Sequence, residues 1–394
     1  MISFSKSNLI KNKKKIDINW ALLFSLVFLC VLVVSLLIYL RIEIANKAGM
    51  TPNFTVSYDM LKYRNAPFYT DELTYFNFIP YESFSEALLN RYEILFYDKQ
   101  LININLYGYF IYFLTDILGI KWQILFWFTG FTYYIVFIIL IYYILIKIIG
   151  CNSSKAFILT LFLGLSPPVL QLAASWLRDL LIIDLLLFSL IFSKNKNFFG
   201  WLIVTILQMF IRAYMVVPHL LMMIHFFMSN QKKKKLFSSI IFTTFTLIII
   251  LVLLYNQYGL ERFISEFPQR FVQNFSGLSL WLVTGKIVPE GNIYNFLPNI
   301  EDYANYFFVA FYLLIYLIWA IKIVYKNERL SFEQKKWLFL FLVIGFYIVI
   351  LHSAMLGFFV ARIQLITAIF AFFFLASLIG QSDREETKAK SALS

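Results

Sequence analysis

Three arginines border or interrupt long apolar stretches of the chain. Arg178 lies in the string SWLRD, Arg212 in IRAY and Arg362 in VARIQ. A guanidinium group keeps its charge and can give two parallel hydrogen bonds to a phosphate, so the chemistry that these residues favour is anion binding. Asp179 directly follows Arg178, and His352 lies near the end of another apolar run. These residue types predict one anion-binding site assembled from separate segments.

Simpler explanations exist for each of these residues. The arginines could extend their long side chains to a membrane surface or pair with lipid headgroups. Arg178 and Asp179 could form a local ion pair, although adjacent positions on a helix point in different directions. Asp184 could bond a neighbouring helix. The arginines together favour the binding site, because all three stand at the ends of otherwise apolar hairpins.

A second candidate group lies in the string FYTDELTY. Asp71 and Glu72 are adjacent carboxylates that could take the proton of a sugar hydroxyl, and Tyr69 and Tyr75 offer ring surfaces for a sugar. The alternative is a helix N-cap at Thr70 or Asp71, with acidic residues in the first turn. The pair therefore predicts either a general base or the start of a surface helix.

The composition indicates which elements must position these residues. The chain has 394 residues, of which 61% are hydrophobic and 14% charged, whereas soluble domains are about 45–50% apolar and about 25% charged. This predicts an all-α polytopic membrane protein. Apolar runs long enough to cross a bilayer, or nearly so, fall at 20–40, 122–146, 156–176, 180–193, 198–211, 213–229, 236–256, 306–325, 337–355 and 358–380, with a weaker candidate at 103–120.

The placement of basic residues predicts the orientation of these runs. Lysines before the first run and Lys232 to Lys235 mark the cytoplasmic side. The pattern fits about ten spans with both termini cytoplasmic, provided that 103–120 lies on the outer surface instead of crossing. The net charge of +12 is then an orientation signal and not a nucleic-acid surface. Residues 1–394 form a single membrane domain, with outer loops at 41–121 and 257–305, the second a predicted lid.

Motifs for cofactors are absent from the sequence. Cys30 and Cys151 stand far apart without a metal-ligand pattern. No Gly-rich phosphate loop occurs, and the short cytoplasmic segments leave no room for a soluble nucleotide-binding domain. We therefore expect no cofactor and no metal site, while a requirement for a divalent metal is left open.

The order of these features resembles the GT-C superfamily of polyprenyl-phosphate-dependent glycosyltransferases. Asp71-Glu72 matches the acidic motif of the first outer loop in that superfamily, and Asp179 matches its second acidic position. The segment INLYGYFIYFLTDILG is similar to the surface helix before the second span. The similarity covers roughly residues 19–230. Many members carry a soluble C-terminal domain, whereas this chain has a short tail after its last apolar run.

Within that superfamily the layout looks most like the Wzy-type O-antigen polymerases of the bacterial cell inner membrane. This resemblance implies lipopolysaccharide biosynthesis, with undecaprenyl-diphosphate-linked oligosaccharides as donor and acceptor and an active site facing the periplasm. The implied roles are catalysis by Asp71, Glu72 or Asp179, and binding of the diphosphate and the sugars by Arg178, Arg212, Arg362, Tyr214, His352, Tyr69, Tyr75 and Trp176. Implied partners are the lipid bilayer and a chain-length regulator protein.

Two other functions fit the same sequence. A GT-C glycosyltransferase that adds a single sugar from a polyprenyl-phosphate donor would share the site and differ in product. A lipid-linked oligosaccharide flippase is the non-enzyme alternative. Such transporters tend to have internal repeats and binding sites at broken helices in mid-bilayer. Neither feature is visible in this sequence, which favours an enzyme.

Overall fold

The described part of the chain is almost entirely helical in a computed structural model of the protein. The structure describes residues 18–47, 91–92, 101–102, 107, 110–111, 113–175, 178–212, 215–228, 330–355 and 365–380. Its helices, in chain order, are α1 (Trp20–Lys47), α2 (Trp122–Tyr143, continued by a π-helical segment, Ile144–Ile149), α3 (Ser153–Gly164), α4 (Pro167–Ala173), α5 (Asp179–Lys194), α6 (Phe198–Arg212), α7 (Val216–Met228), α8 (Phe332–Met355) and α9 (Leu365–Gly380). A two-residue antiparallel strand pair, β1 (Arg91–Tyr92) with β2 (Leu101–Ile102), pairs Arg91 with Ile102.

Helix α1 is apolar on both its buried and its exposed face. Its buried residues recur every three or four positions and form one stripe along the helix: Leu26, Cys30, Val34, Ile38, Arg41 and Ala45. Its opposite face exposes large apolar side chains: Phe24, Phe28, Leu32 and Leu36. A soluble helix would carry polar residues on that face, whereas a helix surrounded by lipid would not.

Within the described residues, two helical stretches are long and apolar enough to cross a bilayer, judged by length and composition. They are Trp20–Lys47 and Trp122–Ile149, each of 28 residues. Four shorter apolar helices are Ser153–Gly164, Phe198–Arg212, Val216–Phe226 and Leu365–Gly380. The prediction of about ten spans includes runs that lie outside the described residues, and it stays a prediction.

The third apolar run is not one continuous helix, in contrast to the span expected over 156–176. Helix α3 ends at Gly164, whose carbonyl accepts a hydrogen bond of 2.9 Å from the hydroxyl of Tyr134. Helix α4 then begins at Pro167, with Ser166 in extended conformation before it. Proline fits the first turn of a helix and ends a preceding one, so the pair Pro167-Pro168 separates two helices.

The segment 103–120, expected to be a surface helix, is described in part. A five-residue π-helical turn covers Phe113–Ile117. Tyr107 and Ile111 are helical and buried, and the ring of Tyr107 lies 6.5 Å from that of Tyr133 in α2. These two residues therefore join the core instead of lying at an interface, while the path of the whole segment stays a prediction.

Helix α1, helix α2 and the α3–α4 pair alternate in direction along the bundle. The hydroxyl of Tyr142, near the end of α2, lies 3.5 Å from the carbonyl oxygen of Asn19, which precedes α1. At the other end, Arg41 of α1 contacts the carbonyl of Ala174 after α4. Helix α5 packs against α2, α6 and α7, and α1 packs against α2 and α3. The start of α5, the end of α6 and the end of α1 consequently lie at one end of the bundle.

Candidate functional site

The α5–α6 hairpin brings two of the predicted site residues into an ion pair. Asp179 is the first residue of α5 and Arg212 is the last residue of α6. The Arg212 Nη1 atom donates a hydrogen bond of 2.8 Å to Asp179 Oδ1, and both side chains are buried. The sequence placed both residues at hairpin ends, and the structure joins them.

The helix ends favour both charges of this ion pair. The N-terminus of a helix carries a partial positive charge, which stabilises the carboxylate of Asp179. The C-terminus of the antiparallel α6 carries a partial negative charge, which stabilises the guanidinium of Arg212. The pair is thus supported by two helix dipoles in addition to its own attraction.

Arg178 lies beside the pair and forms a bond of its own across the hairpin. Its Nη1 atom donates a hydrogen bond of 3.0 Å to the carbonyl oxygen of Ile211, across the hairpin, and its side chain is buried. Two guanidinium groups and one carboxylate therefore meet here, which gives the cluster a formal charge of +1 (2 − 1). We refer to Arg178, Asp179 and Arg212 as the arginine cluster.

The sequence did not identify Arg41 as a site residue, although it lies at the same end of the bundle. Its side chain is 1% exposed, its Nη1 atom donates to the carbonyl oxygen of Ala174, and its Cζ atom lies 4.7 Å from the ring centroid of Phe126. A signal was present: Arg41 is the first basic residue after the N-terminal apolar run, on the side opposite the lysines that precede it. The predicted topology puts that side together with Arg178 and Arg212.

A second carboxyl group is buried deeper in the bundle. Asp184 of α5 is 2% exposed, and neither of its carboxyl oxygens has a hydrogen-bond partner within the described residues. Tyr133 of α2, which is hydrogen-bonded to Tyr107, is close enough to interact electrostatically with Asp184. The expected hydrogen bond from Asp184 to a neighbouring helix is therefore not found in the described part.

A polar strip on α6 leads away from the arginine cluster into the bundle. Gln208 is fully buried, and its Nε2 atom lies 3.4 Å from the carbonyl oxygen of Arg212. Further along, Thr205 Oγ1 lies 3.5 Å from His219 Nδ1, and Trp201 Nε1 donates to the carbonyl of His219. Besides Arg212, five residues of α6 are buried, and three of them (Trp201, Thr205 and Gln208) carry a polar group.

The side chains of the remaining predicted site residues lie outside the described part of the structure. His352 belongs to helix α8, and the structure describes only its backbone. The residues that lie outside the described ranges are Asp71, Glu72, Tyr69, Tyr75, Trp176, Tyr214 and Arg362.

The opposite end of the bundle holds a separate charged group. Glu333 of α8 lies 3.0 Å from the Nζ atom of Lys336 and 3.5 Å from that of Lys194, the last residue of α5. Partial burial raises the pKa of Glu333, but the hydrogen bond and charge of Lys336 and the charge of Lys194 outweigh it, so the pKa lies below its ordinary value. This group links α5 to α8 far from the arginine cluster.

The chemistry available to the arginine cluster is anion binding. Guanidinium groups suit phosphate oxygens, and a site shielded from water strengthens their attraction for a charge that grows during a reaction. Among the described residues, no group of three or more His, Cys, Asp or Glu side chains could hold a metal ion. Comparison with known proteins found no matching family, no matching curated protein and no matching solved structure.

Proposed function

We propose that this chain is an O-antigen polymerase, a multi-pass glycosyltransferase that joins lipid-linked oligosaccharide units at the outer face of a bacterial inner membrane. The observation that carries the proposal is the arginine cluster: Arg178 and Arg212 meet Asp179 at one end of an apolar helical bundle. Buried charges of this kind are costly inside a membrane protein and commonly mark a functional site.

A membrane location is supported by the surfaces of the long helices. Trp20–Lys47 and Trp122–Ile149 have the length and composition of spans, and α1 exposes phenylalanine and leucine side chains. The end of the bundle with Lys194 and Lys336 carries lysines, as expected for the cytoplasmic side. In this orientation the arginine cluster faces the periplasm, where both lipid-linked substrates would be presented.

The proposed reaction needs a group that holds a leaving diphosphate. The bond between the anomeric carbon of the donor chain and a phosphate oxygen breaks, and the acceptor hydroxyl oxygen forms a new bond to that carbon. The hydroxyl proton passes to a carboxylate, and the lipid diphosphate leaves with the negative charge. Arg178 and Arg212 would bind that diphosphate and stabilise the growing charge, with Arg362 as a third candidate.

One of the candidate carboxylates for taking the proton is already engaged in an ion pair, which favours the others. Asp179 already accepts a hydrogen bond from Arg212 and would have to give up this partner to serve as a base. Asp71 or Glu72 of the first outer loop is therefore the better candidate for the general base. Tyr69, Tyr75 and the remaining predicted aromatic residues would line the path of the sugars.

The test is complementation of a strain that lacks the gene, with the lipopolysaccharide separated on a gel. We expect Arg178→Ala and Arg212→Ala to reduce the ladder of long chains to single-unit bands, since loss of one transition-state contact costs about 10²–10³ in rate. Lys194→Ala removes a positive charge from the other end of α5 and is the matched control. A full ladder with both arginines replaced would refute the proposal, and a single added sugar in the wild type would favour the single-sugar transferase.

One observation favours a transporter as the second candidate. Asp184 is a buried carboxyl group without a hydrogen-bond partner in the described part, and such groups serve as proton relays in pumps and transporters. A flippase would move lipid-linked units across the membrane. Its loss would leave these units on the cytoplasmic side, whereas loss of a polymerase would leave them on the periplasmic side.

A further inference from the structure

The turn between α4 and α5 is fixed on the side of α6. We use this name for the connection from Ala174, directly after α4, to Arg178, directly before Asp179 at the start of α5. Arg178 bonds the carbonyl oxygen of Ile211, and Asp179 pairs with Arg212. These two contacts hold the end of the turn that carries the arginine cluster.

The other end of the turn is held by Arg41. The carbonyl oxygen of Ala174, directly after α4, accepts a hydrogen bond from Arg41 Nη1. This carbonyl lies at the negative end of α4, where a positive charge is favourable. The guanidinium also lies over the ring of Phe126 in α2, at 4.7 Å from its centroid. One side chain of α1 thus connects α2 with the start of the turn.

The backbones of these helices approach closely at the same place. A Cβ atom added to Gly130 of α2 would lie 2.4 Å from the carbonyl oxygen of Ala173 and 3.0 Å from Cδ1 of Ile38 in α1. Ser175 is fully enclosed there and donates a hydrogen bond of 2.8 Å to the carbonyl of Leu172. The beginning of the turn is therefore packed on a platform made by α1 and α2.

We propose that Arg41 is a positioning residue for the arginine cluster. It acts through the carbonyl of Ala174: with this carbonyl held, the turn presents Arg178 and Asp179 to Arg212 in a single arrangement. Only three residues separate Ala174 from Arg178, so we expect a shift at the first to be passed to the second. The inference deepens the proposed function and rests on it only where it concerns the reaction, because the geometry of the turn can be measured independently.

The test measures the turn and the reaction separately. A thiol introduced by Ser175→Cys reports the turn, and the native Cys151, which is buried beside Gly380 at the other end of the bundle, reports the whole fold. We expect Arg41→Met to raise the maleimide labelling rate at position 175 about tenfold while Cys151 stays protected. Arg41→Lys, which keeps a charged donor, should restore both protection and the glycan ladder.

Several outcomes would overturn the inference. If position 175 stays protected in Arg41→Met, the turn does not depend on this side chain. If the native thiols of Cys30 and Cys151 become reactive together with position 175, Arg41 stabilises the whole bundle and not the turn. The labelling does not depend on any substrate. If Arg41→Met alters the turn but the wild-type protein makes no glycan ladder, the proposed function is refuted and the role of Arg41 stands.

Discussion

Arg212 and Asp179 form an ion pair of 2.8 Å between the last residue of α6 and the first residue of α5. Each charge lies at the helix end that favours it, and the pair joins α5 and α6 at the open end of their hairpin, opposite the turn at 195–197. Arg178 adds a second bond across the same hairpin to the carbonyl of Ile211. The residues that we propose for diphosphate binding therefore also hold two helices together.

Loss of one member of this pair should destabilise the fold. We expect Asp179→Asn to lower the free energy of unfolding by about 3–5 kcal/mol, because a buried guanidinium would lose its counter-charge. Thermal unfolding of the purified protein in detergent measures this, with Lys335→Gln as a control at an exposed position of α8. In a double-mutant cycle, Asp179→Asn and Arg212→Gln should destabilise less together than the sum of both, and strict additivity would contradict the pairing.

A second prediction follows from the close contact at Gly130. A methyl group there would meet the backbone oxygen of Ala173, which cannot move without shifting α4. We expect Gly130→Ala to destabilise the protein by about 1–3 kcal/mol, as overpacking does elsewhere. The matched control is Gly200→Ala, whose nearest obstacle is Cδ1 of the Phe192 side chain. Equal melting temperatures for the two variants would show that α2 and α4 are less tightly packed than described.

The sequence was sufficient to find the arginine cluster but not its internal pairing. Charged residues at the ends of apolar hairpins are visible in a hydropathy pattern, and this led to Arg178, Asp179 and Arg212. The partner of Asp179 depends on which residues face each other across the α5–α6 hairpin. This in turn depends on the conformation of the turn at the closed end of the hairpin and on the rotation of each helix about its axis. Adjacent residues such as Arg178 and Asp179 diverge on a helix, and Asp179 forms an ion pair with Arg212, 33 positions away.

Arg41 was missed because its burial depends on a distant segment. It follows an apolar run, where an arginine commonly reaches to the membrane surface, and nothing nearby in the sequence indicates that its side chain is buried. Its partner, Ala174, is 133 positions away. The pair Pro167-Pro168 predicts a kink in the run 156–176, and at this pair the structure ends one helix and begins another.

The charged group at the opposite end predicts a pH dependence. The pKa of Glu333 is lowered from its ordinary 4.5 by Lys336 and Lys194, despite the opposing effect of partial burial. A lowered pKa in the folded state means that the stabilisation is present above pH 4.5 and is lost as the pH falls through the lowered value. We expect Glu333→Gln to lower the melting temperature slightly at pH 7, since the carboxyl is half exposed, and to have no effect in strong acid.

The control for this pH dependence is Lys335→Gln, which removes a charge from the same turn of α8. Its effect on the melting temperature should be the same at both pH values. A constant difference between wild type and Glu333→Gln across the pH range would show that the ion pairs with Lys336 and Lys194 contribute no stability.

Substitution of the buried Asp184 distinguishes the proposed enzyme from a transporter. Removal of an unpaired buried polar group in favour of an apolar one of similar shape is neutral or stabilising, so Asp184→Leu should leave the melting temperature unchanged or raise it. Asp179→Leu, the matched variant on the same helix, should lower it. A polymerase that uses the arginine cluster needs no proton relay at Asp184, so we expect the Asp184→Leu strain to keep its full glycan ladder. Loss of the ladder in a stably folded Asp184→Leu protein, with lipid-linked units retained on the cytoplasmic side, would instead establish proton-coupled transport as the function.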